Sequence, residues 1–182
     1  MKKYTKPNFK SSVVITIDTQ CDTLDGQPLE IPGTSATLPK IKTILDVYRE
    51  KRMPIVHIVR IYKKDGSNVD LCRKEAVENG AQMLLENSSG CELATKVFES
   101  SIRLDAKLLL SGGIQKISEH EVIIYKPRWG AFFNTPLESH LKELGVDTLI
   151  FVGCNFPNCP RTSIYEASER DFKIVLVPCN IN

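Results

Sequence analysis

The sequence predicts an α/β fold, a three-layer αβα sandwich built on a doubly wound, mostly parallel β-sheet. Short apolar runs rich in β-branched residues alternate along the chain with amphipathic segments of helical period. That alternation is typical of a parallel sheet with helices on both faces. The chain has 182 residues, of which 42% are hydrophobic. This is enough for one core, and we expect a single domain over residues 1–182.

The first half of the chain gives two strands and three helical segments. Residues 12–18 form an apolar, β-branched run that predicts the first strand. Apolar residues recur at helical spacing over residues 38–52, which predicts a helix, and residues 54–60 form the second strand. The region that follows is less regular, and helical segments are predicted within long loops at residues 69–78 and 94–110.

The second half of the chain alternates more regularly. The apolar run at residues 121–126 predicts a strand, and residues 136–144 predict a helix. Residues 146–152 form another buried strand, and an amphipathic helix follows at Cys159. A last strand is predicted at residues 173–177. The order of these elements supports the doubly wound sheet.

Composition excludes several classes of protein. The formal net charge is +2, with 24 basic residues spread among 22 acidic ones, so nucleic-acid binding is not expected. No apolar stretch is long enough to span a membrane, and the first residues lack the apolar region of a signal peptide. The six cysteines form no close CxxC pair, which favours reduced thiols and a cytoplasmic location.

Cys159 is the residue that most strongly suggests a chemical function. It lies between the apolar run 146–152 and the amphipathic helix, directly before Pro160, and proline suits the first turn of a helix. Free N–H groups and the positive end of the helix dipole stabilise a thiolate at such a position. We therefore expect a reactive thiol with a lowered pKa. The alternative is a buried, inert cysteine.

Two charged residues follow other predicted strands. Asp18 ends the first strand, and Lys126 ends the strand at residues 121–126. The carboxyl ends of parallel strands line one crevice, where ligands bind. Each charge alone would be a solvated strand end. Together with Cys159, the two charges predict an active site.

These residues and their surroundings resemble the isochorismatase-like cysteine hydrolases, which include nicotinamidases, N-carbamoylsarcosine amidases, ureidoacrylate amidohydrolases and biuret hydrolases. The resemblance covers most of the chain. The motifs that carry it are residues 14–20, residues 125–137, residues 144–153, and the turn and helix around Cys159.

The resemblance implies a role for each residue. Asp18 matches the general acid/base of the family, Lys126 the lysine that orients the aspartate, and Cys159 the nucleophile. A cis peptide found in the family would fall between Cys154 and Asn155. It would aim the N–H groups of Asn155 and Cys159 at one point as an oxyanion hole.

A metal and other cofactors are not expected. His57, His120 and His140 show no metal-binding spacing. Nicotinamidases of the family bind a metal through an Asp-x-His segment after the second strand, whereas residues 59–68 contain no histidine. Nicotinamidase activity is therefore disfavoured, and a zinc site at Cys154 and Cys159 would lack a second ligand pair.

Four further side chains are candidates for substrate binding: Gln20, Arg60, Trp129 and Phe132. Arg60 follows the second strand and could pair with a carboxylate or carbonyl of the substrate. Trp129 and Phe132 lie close to Lys126 in sequence and could wall the pocket, although packing beneath a loop is equally compatible with the pattern.

The resemblance implies a hydrolase that cleaves a C–N bond of a small amide or ureido compound through a thioester acyl-enzyme. A vinyl-ether hydrolase of the isochorismatase type is one alternative, because that reaction needs the aspartate but no nucleophile. A non-catalytic binding or scaffold protein is another. The reason to consider a non-catalytic protein is the C-terminus, which is shorter than in relatives and has Cys179 where an aspartate is common.

We also expect a homodimer or homotetramer, because relatives are oligomers and because Phe132 and Phe133 would leave apolar surface near the lysine segment.

Overall fold

A mostly parallel sheet forms the centre of the computed structural model, which describes residues 3–98 and 102–177. Within these ranges the strands follow the order β3-β4-β2-β1-β5-β6. All neighbouring strands are parallel except β3 and β4, which are antiparallel. The predicted sheet type is therefore confirmed. The strands are β1 Ser12–Ile17, β2 Ile55–Val59, β3 Ile114–Lys116, β4 Glu121–Tyr125, β5 Thr148–Gly153 and β6 Lys173–Leu176.

Helices cover both faces of the sheet, as predicted. They are α1 Thr34–Glu50, α2 Leu71–Glu78, α3 Ala106–Leu110, α4 Leu137–Glu143 and α5 Cys159–Ser168. Helices α1 and α3 pack on one face, where Leu38 and Leu109 share an apolar cluster with Val14. Helices α4 and α5 pack on the other face, where Leu141 and Ala167 are buried. Among the described residues, no helix has the length and apolarity to cross a membrane.

The start of α1 was predicted four residues too late. The Oδ1 and Oδ2 atoms of Asp25 accept hydrogen bonds from the N–H groups of Gly33 and Ser35, each at 2.7 Å. These bonds satisfy N–H groups at the start of the helix that have no partner inside it. The cap comes from a residue well upstream of the helix, so helical periodicity did not reveal where α1 begins.

The predicted helical segment at residues 94–110 is wrong in its extent. The structure has a short 3-10 helix at Thr95–Val97 and the helix α3, and residues 99–101 lie outside the described ranges. The N–H of Leu104 donates to the carboxylate of Glu92 at 2.6 Å, and the side chain of Asp105 caps α3. These side-chain bonds begin a new helix at α3. The short edge strand β3 was not predicted.

A buried polar network crosses the sheet at β2. Nδ1 of His57 lies 2.8 Å from the hydroxyl of Thr16, and Nε2 lies 2.8 Å from Oε1 of Glu121. Arg49 donates two hydrogen bonds to the same carboxylate, at 2.7 and 3.1 Å. Burial lowers the pKa of His57. Burial acts to raise the pKa of Glu121, but the hydrogen bonds from His57 and Arg49 bring it to about 2.

Acid is expected to destabilise the fold through this network. Burial lowers the pKa of His57 in the native state, so this residue binds a proton more readily in the unfolded chain. Its contribution to the free energy of unfolding is therefore complete above about pH 6.5, the pKa of an unfolded histidine, and decreases below that pH. The contribution of Glu121, on the order of 3 kcal/mol, is present above about pH 4.3 and is lost toward about pH 2. Urea unfolding between pH 7 and pH 3 measures this effect. Glu121→Gln should flatten the lower part of the curve, and an unchanged curve would contradict the assignment.

Candidate active site

Three adjacent parallel strands deliver charged residues to one edge of the sheet. Asp18, Arg60 and Lys126 directly follow β1, β2 and β4. The N–H of Asp18 donates to the carbonyl of Ile58, and the N–H of Lys126 donates to that of Val59, each at 3.0 Å. The parallel register therefore continues one residue beyond the strands. This places the predicted acid and lysine side by side.

Asp18 and Lys126 form a buried ion pair. The distance between Nζ of Lys126 and Oδ2 of Asp18 is 3.1 Å, and the lysine side chain is 1% exposed. The same Nζ also donates to the carbonyl of Arg128 at 3.3 Å. The other oxygen of Asp18, Oδ1, is buried and has no hydrogen-bond partner among the described residues.

The backbone of Asp18 turns sharply out of the sheet. Its φ is 50°, a left-handed conformation that is uncommon for a residue with a side chain. The carbonyl of Asp18 accepts hydrogen bonds from the N–H of Gln20 at 2.9 Å, the hydroxyl of Thr23 at 2.9 Å and the thiol of Cys154 at 3.4 Å. These three bonds hold the turn, and with it the direction of the carboxylate.

A tight turn leads from β5 to the candidate nucleophile. Gly153 has a φ of 115°, and a Cβ at this position would lie 2.3 Å from the carbonyl oxygen of Ile17, so only glycine fits. The peptide between Cys154 and Asn155 is cis, as the resemblance implied. Cys159 begins α5, where the first N–H groups have no acceptor within the helix.

The expected lowering of the Cys159 pKa is wrong. Burial and, after it, the negative charge of Asp18 raise the pKa of this thiol to about 12, although the charge of Lys126 acts to lower it. A raised pKa favours a protonated thiol in the resting site, beside the carboxylate of Asp18.

A cavity of about 130 Å³ opens at this edge of the sheet. Asp18, Lys126 and Cys159 all line it, and so do Arg60 and Asn155. The three residues predicted to converge thus share one small chamber. The rest of its wall is formed by Thr23, Leu29, Glu30, Ile31, Arg73, Leu84 and Asn158.

Three predicted substrate-binding side chains lie outside the cavity. The amide of Gln20 bridges the backbone of Arg60 through two hydrogen bonds of 2.8 Å, so it braces the ends of β1 and β2. Phe132 is buried against Phe172, with a ring-centroid distance of 6.1 Å. Trp129 lines a separate surface groove. The prediction that these three side chains contribute to the substrate pocket is therefore corrected for this cavity, because none of them lines it.

A cluster of polar residues around Asp70 lies behind the cavity and was not predicted from the sequence. Asp70 accepts hydrogen bonds at Oδ2 from Arg60, from the hydroxyl of Tyr62 at 2.6 Å and from Nη1 of Arg73 at 3.4 Å. Asp70 and Arg73 are three residues apart around the start of α2. That spacing is compatible with an ion pair on a helix, and it is the feature of the sequence that could have revealed the cluster.

The cluster keeps its charges. Burial acts to raise the pKa of Asp70, but the hydrogen bond from Tyr62 and the charges of the two arginines hold it below its usual value. Burial acts to lower the pKa of Arg60, but Tyr62, Asp70 and Asp18 raise it above its usual value. Two guanidinium groups therefore share one carboxylate next to the candidate nucleophile.

A metal centre has no support in residues 3–98 and 102–177, where no group of three or more His, Cys, Asp or Glu side chains is placed to hold an ion. Independence from metal stays a prediction.

The family model described as "Isochorismatase domain" matches residues 12–178, which include all the described strands and the residues of the candidate site.

The chain belongs to the isochorismatase family.

Members of the isochorismatase family and their structural neighbours resemble this chain over most of its length. A crystal structure of an isochorismatase family protein from Desulfovibrio vulgaris has a TM-score of 0.77 and 26% identity, and covers 92% of this chain and 79% of the other. A protein of Arabidopsis thaliana named "Probable inactive nicotinamidase" is 24% identical over 93% of this chain and 79% of its own length.

The N-carbamoylsarcosine amidase of Arthrobacter sp is 24% identical over 85% of this chain. The match spans 52% of that enzyme, or about half of its length. The names of these two relatives thus include an amidase and a probable inactive nicotinamidase.

Proposed function

We propose that this protein is a cysteine hydrolase that cleaves a C–N bond of a small amide or ureido compound through a thioester acyl-enzyme. The observation that carries the proposal is the 3.1 Å ion pair between Asp18 and Lys126 in the same cavity as Cys159. The name of the Arthrobacter relative, an amidase, supports the same class of reaction.

Asp18 acts first as a general base. The thiol proton moves to the carboxylate as the sulfur of Cys159 attacks the substrate carbonyl carbon, and the C=O π electrons move to oxygen. The N–H groups of Asn155 and Cys159 donate to the resulting oxyanion, and each such donor contributes about 10²–10³ in rate. Lys126 pairs with the carboxylate of Asp18 and holds it in place.

Asp18 then acts as a general acid. It gives the proton to the leaving nitrogen, the C–N bond breaks, and a thioester and a free amine or ammonia are formed. Water attacks the thioester, and Asp18 accepts one of its protons. The C–S bond breaks, and the same proton restores the thiol. This cycle requires no thiolate in the resting enzyme, in agreement with the raised pKa of Cys159.

The small cavity guides the test. About 130 Å³ admits only a small substrate, so a panel of small primary amides and ureido compounds should be screened with an ammonia-release assay. Turnover, with an acyl group on Cys159 detected by mass spectrometry after acid quench, is the expected result. Turnover without a covalent intermediate would favour the vinyl-ether type of acid catalysis. No turnover of any substrate would favour a binding protein, as the name of the Arabidopsis relative suggests.

Activity is expected to survive removal of metal ions. The described residues offer no cluster of three potential ligands, and the proposed steps use only side chains and backbone. Ammonia release before and after EDTA treatment measures the effect. Loss of activity that zinc or manganese restores would identify a metal-dependent amidase instead.

We further propose a homodimer or homotetramer. Leu71 is 87% exposed and Phe133 is 50% exposed, and both lie on the groove that contains Trp129. Apolar exposure of this kind is typical of an interface. Light scattering at micromolar concentration should give a multiple of the monomer mass, and Phe133→Asp should reduce it. An active monomer would refute the proposal.

A further inference from the structure

Arg73 reaches the catalytic cavity from α2 with part of its guanidinium unused. It lines the cavity together with Cys159. The hydrogen bonds that it makes with described residues both use Nη1, at 3.2 Å to the hydroxyl of Tyr62 and at 3.4 Å to Oδ2 of Asp70. Its Nε and Nη2 groups have no partner within the described ranges. One edge of the guanidinium therefore remains available to a ligand.

Arg60 differs from Arg73 in this respect. Its side chain is 3% exposed, and its Nη2 is paired with Asp70. Its Nη1 donates to the carbonyl of Lys126 at 3.0 Å. Arg60 therefore fixes the cluster and the lysine segment, whereas Arg73, at 25% exposed, is the arginine that can change partner.

When the exposed Glu30 is set aside, the charged side chains around the cavity leave one positive charge in excess. Asp18 and Lys126 neutralise each other as an ion pair. Asp70 is one carboxylate shared by Arg60 and Arg73. Glu30 also lines the cavity but is exposed to solvent, where its charge is screened. The excess charge thus lies on Arg73, close to the reacting thiol.

We propose that Arg73 binds a carboxylate of the substrate, so that this protein hydrolyses small amides or ureido compounds that carry an acidic group. The inference rests on the proposed function and names its substrate class. Arginine binds carboxylates through two parallel N–H groups, and Nε with Nη2 forms such an edge.

The geometry also limits the length of the substrate. Burial acts to lower the pKa of Arg73, whereas Tyr62, Asp70 and a charged Cys159 sulfur act to raise it, and the pKa lies above its usual value. Arg73 and Cys159 line the same cavity. Because the cavity measures about 130 Å³, the carboxylate must lie within a few bonds of the scissile carbonyl.

Matched substrates test the proposal directly. Malonamate, succinamate and N-carbamoylglycine should be compared with their methyl esters in the ammonia-release assay. For the acids, Arg73→Gln should raise KM about 10- to 100-fold, the effect of losing a charge-assisted hydrogen bond, and Arg73→Lys should restore part of it. The esters should be poor substrates that Arg73→Gln leaves unchanged. Lys74→Gln is the matched control, because Lys74 is the next residue on α2 and pairs only with Glu78 at 3.9 Å among described residues.

Two kinetic outcomes would overturn the inference while leaving the hydrolase proposal intact. One is equal turnover of acids and esters by the unmodified protein. The other is an equal loss of kcat for both in Arg73→Gln, which would mean that Arg73 supports the thiolate rather than the substrate.

A binding measurement separates the inference from the proposed reaction. Malonate should bind Cys159→Ala in titration calorimetry, and the added Arg73→Gln change should weaken binding about 10- to 100-fold. If malonate binds through Arg73 but no amide is hydrolysed, the inference stands and the proposed function fails. If malonate does not bind and only neutral amides are hydrolysed, the inference fails and the function stands. No binding and no turnover would reject both.

Discussion

Replacement of Cys159 with alanine is expected to abolish amide hydrolysis, with a loss of at least about 10⁴-fold in kcat. The thiol is the group that forms the covalent bond to the acyl carbon, so no thioester can form without it. Asp18, Lys126 and the backbone donors would remain, but they could only assist a direct attack by water. Ammonia release by the purified variant at high enzyme concentration measures the residual rate.

The matched control for this variant is Cys72→Ser, because Cys72 is an exposed thiol that does not line the cavity. It should keep full activity. Circular dichroism should show that Cys159→Ala is folded, since it removes one sulfur atom from a buried site. If Cys159→Ala kept more than about one hundredth of the activity, the reaction would not depend on the thiol as a nucleophile, and acid–base catalysis by Asp18 would be the main contribution. That result would favour the vinyl-ether reaction.

Asp18→Asn is expected to lower kcat about 10²–10⁴-fold, the usual contribution of general acid–base catalysis, and to make Cys159 ionise at lower pH. Burial raises the pKa of Cys159 to about 12, and the charge of Asp18 is the next cause of the increase. Asparagine removes this charge, while Lys126 remains and favours the thiolate. The variant should therefore be a poorer enzyme with a more acidic thiol.

Labelling with iodoacetamide across a pH series, followed by mass spectrometry, tests whether the pKa of Cys159 falls in Asp18→Asn. In the unmodified protein Cys72, as an exposed thiol, serves as the internal reference. The midpoint for Cys159 should move to lower pH in Asp18→Asn, while that of Cys72 stays unchanged. If the midpoint rises instead, Asp18 stabilises the thiolate, and the assignment of a protonated resting thiol is wrong.

Most of the fold could be predicted from local patterns. Strands such as β1 and β5 are short apolar runs whose residues are almost all buried. The boundaries of α1 and α3 could not be predicted, because the capping carboxylate of Asp25 acts over eight to ten residues and because the side chain of Asp105 begins α3 inside a segment predicted as one helix. Such side-chain bonds leave no periodic signal.

The candidate site was predicted in part. Asp18, Lys126 and Cys159 each follow or begin a recognisable element, so parallel topology was enough to bring them together. Gln20, Trp129 and Phe132 were misassigned because closeness in sequence to a site residue does not determine the direction of a side chain. Only the packed structure shows that Gln20 braces the backbone, that Phe132 is buried against Phe172 and that Trp129 lines a separate surface groove.

The sequence by itself determined the fold class, the family resemblance and the three residues proposed to react. The tertiary structure alone decided two features. It placed Cys159 in a buried site beside Asp18, where burial and the charge of Asp18 both raise the pKa of the thiol. It also showed that Arg73 enters the cavity from an exposed helix. Both depend on distances between groups far apart in the chain, and electrostatic energy is set by such distances and by local burial rather than by sequence order.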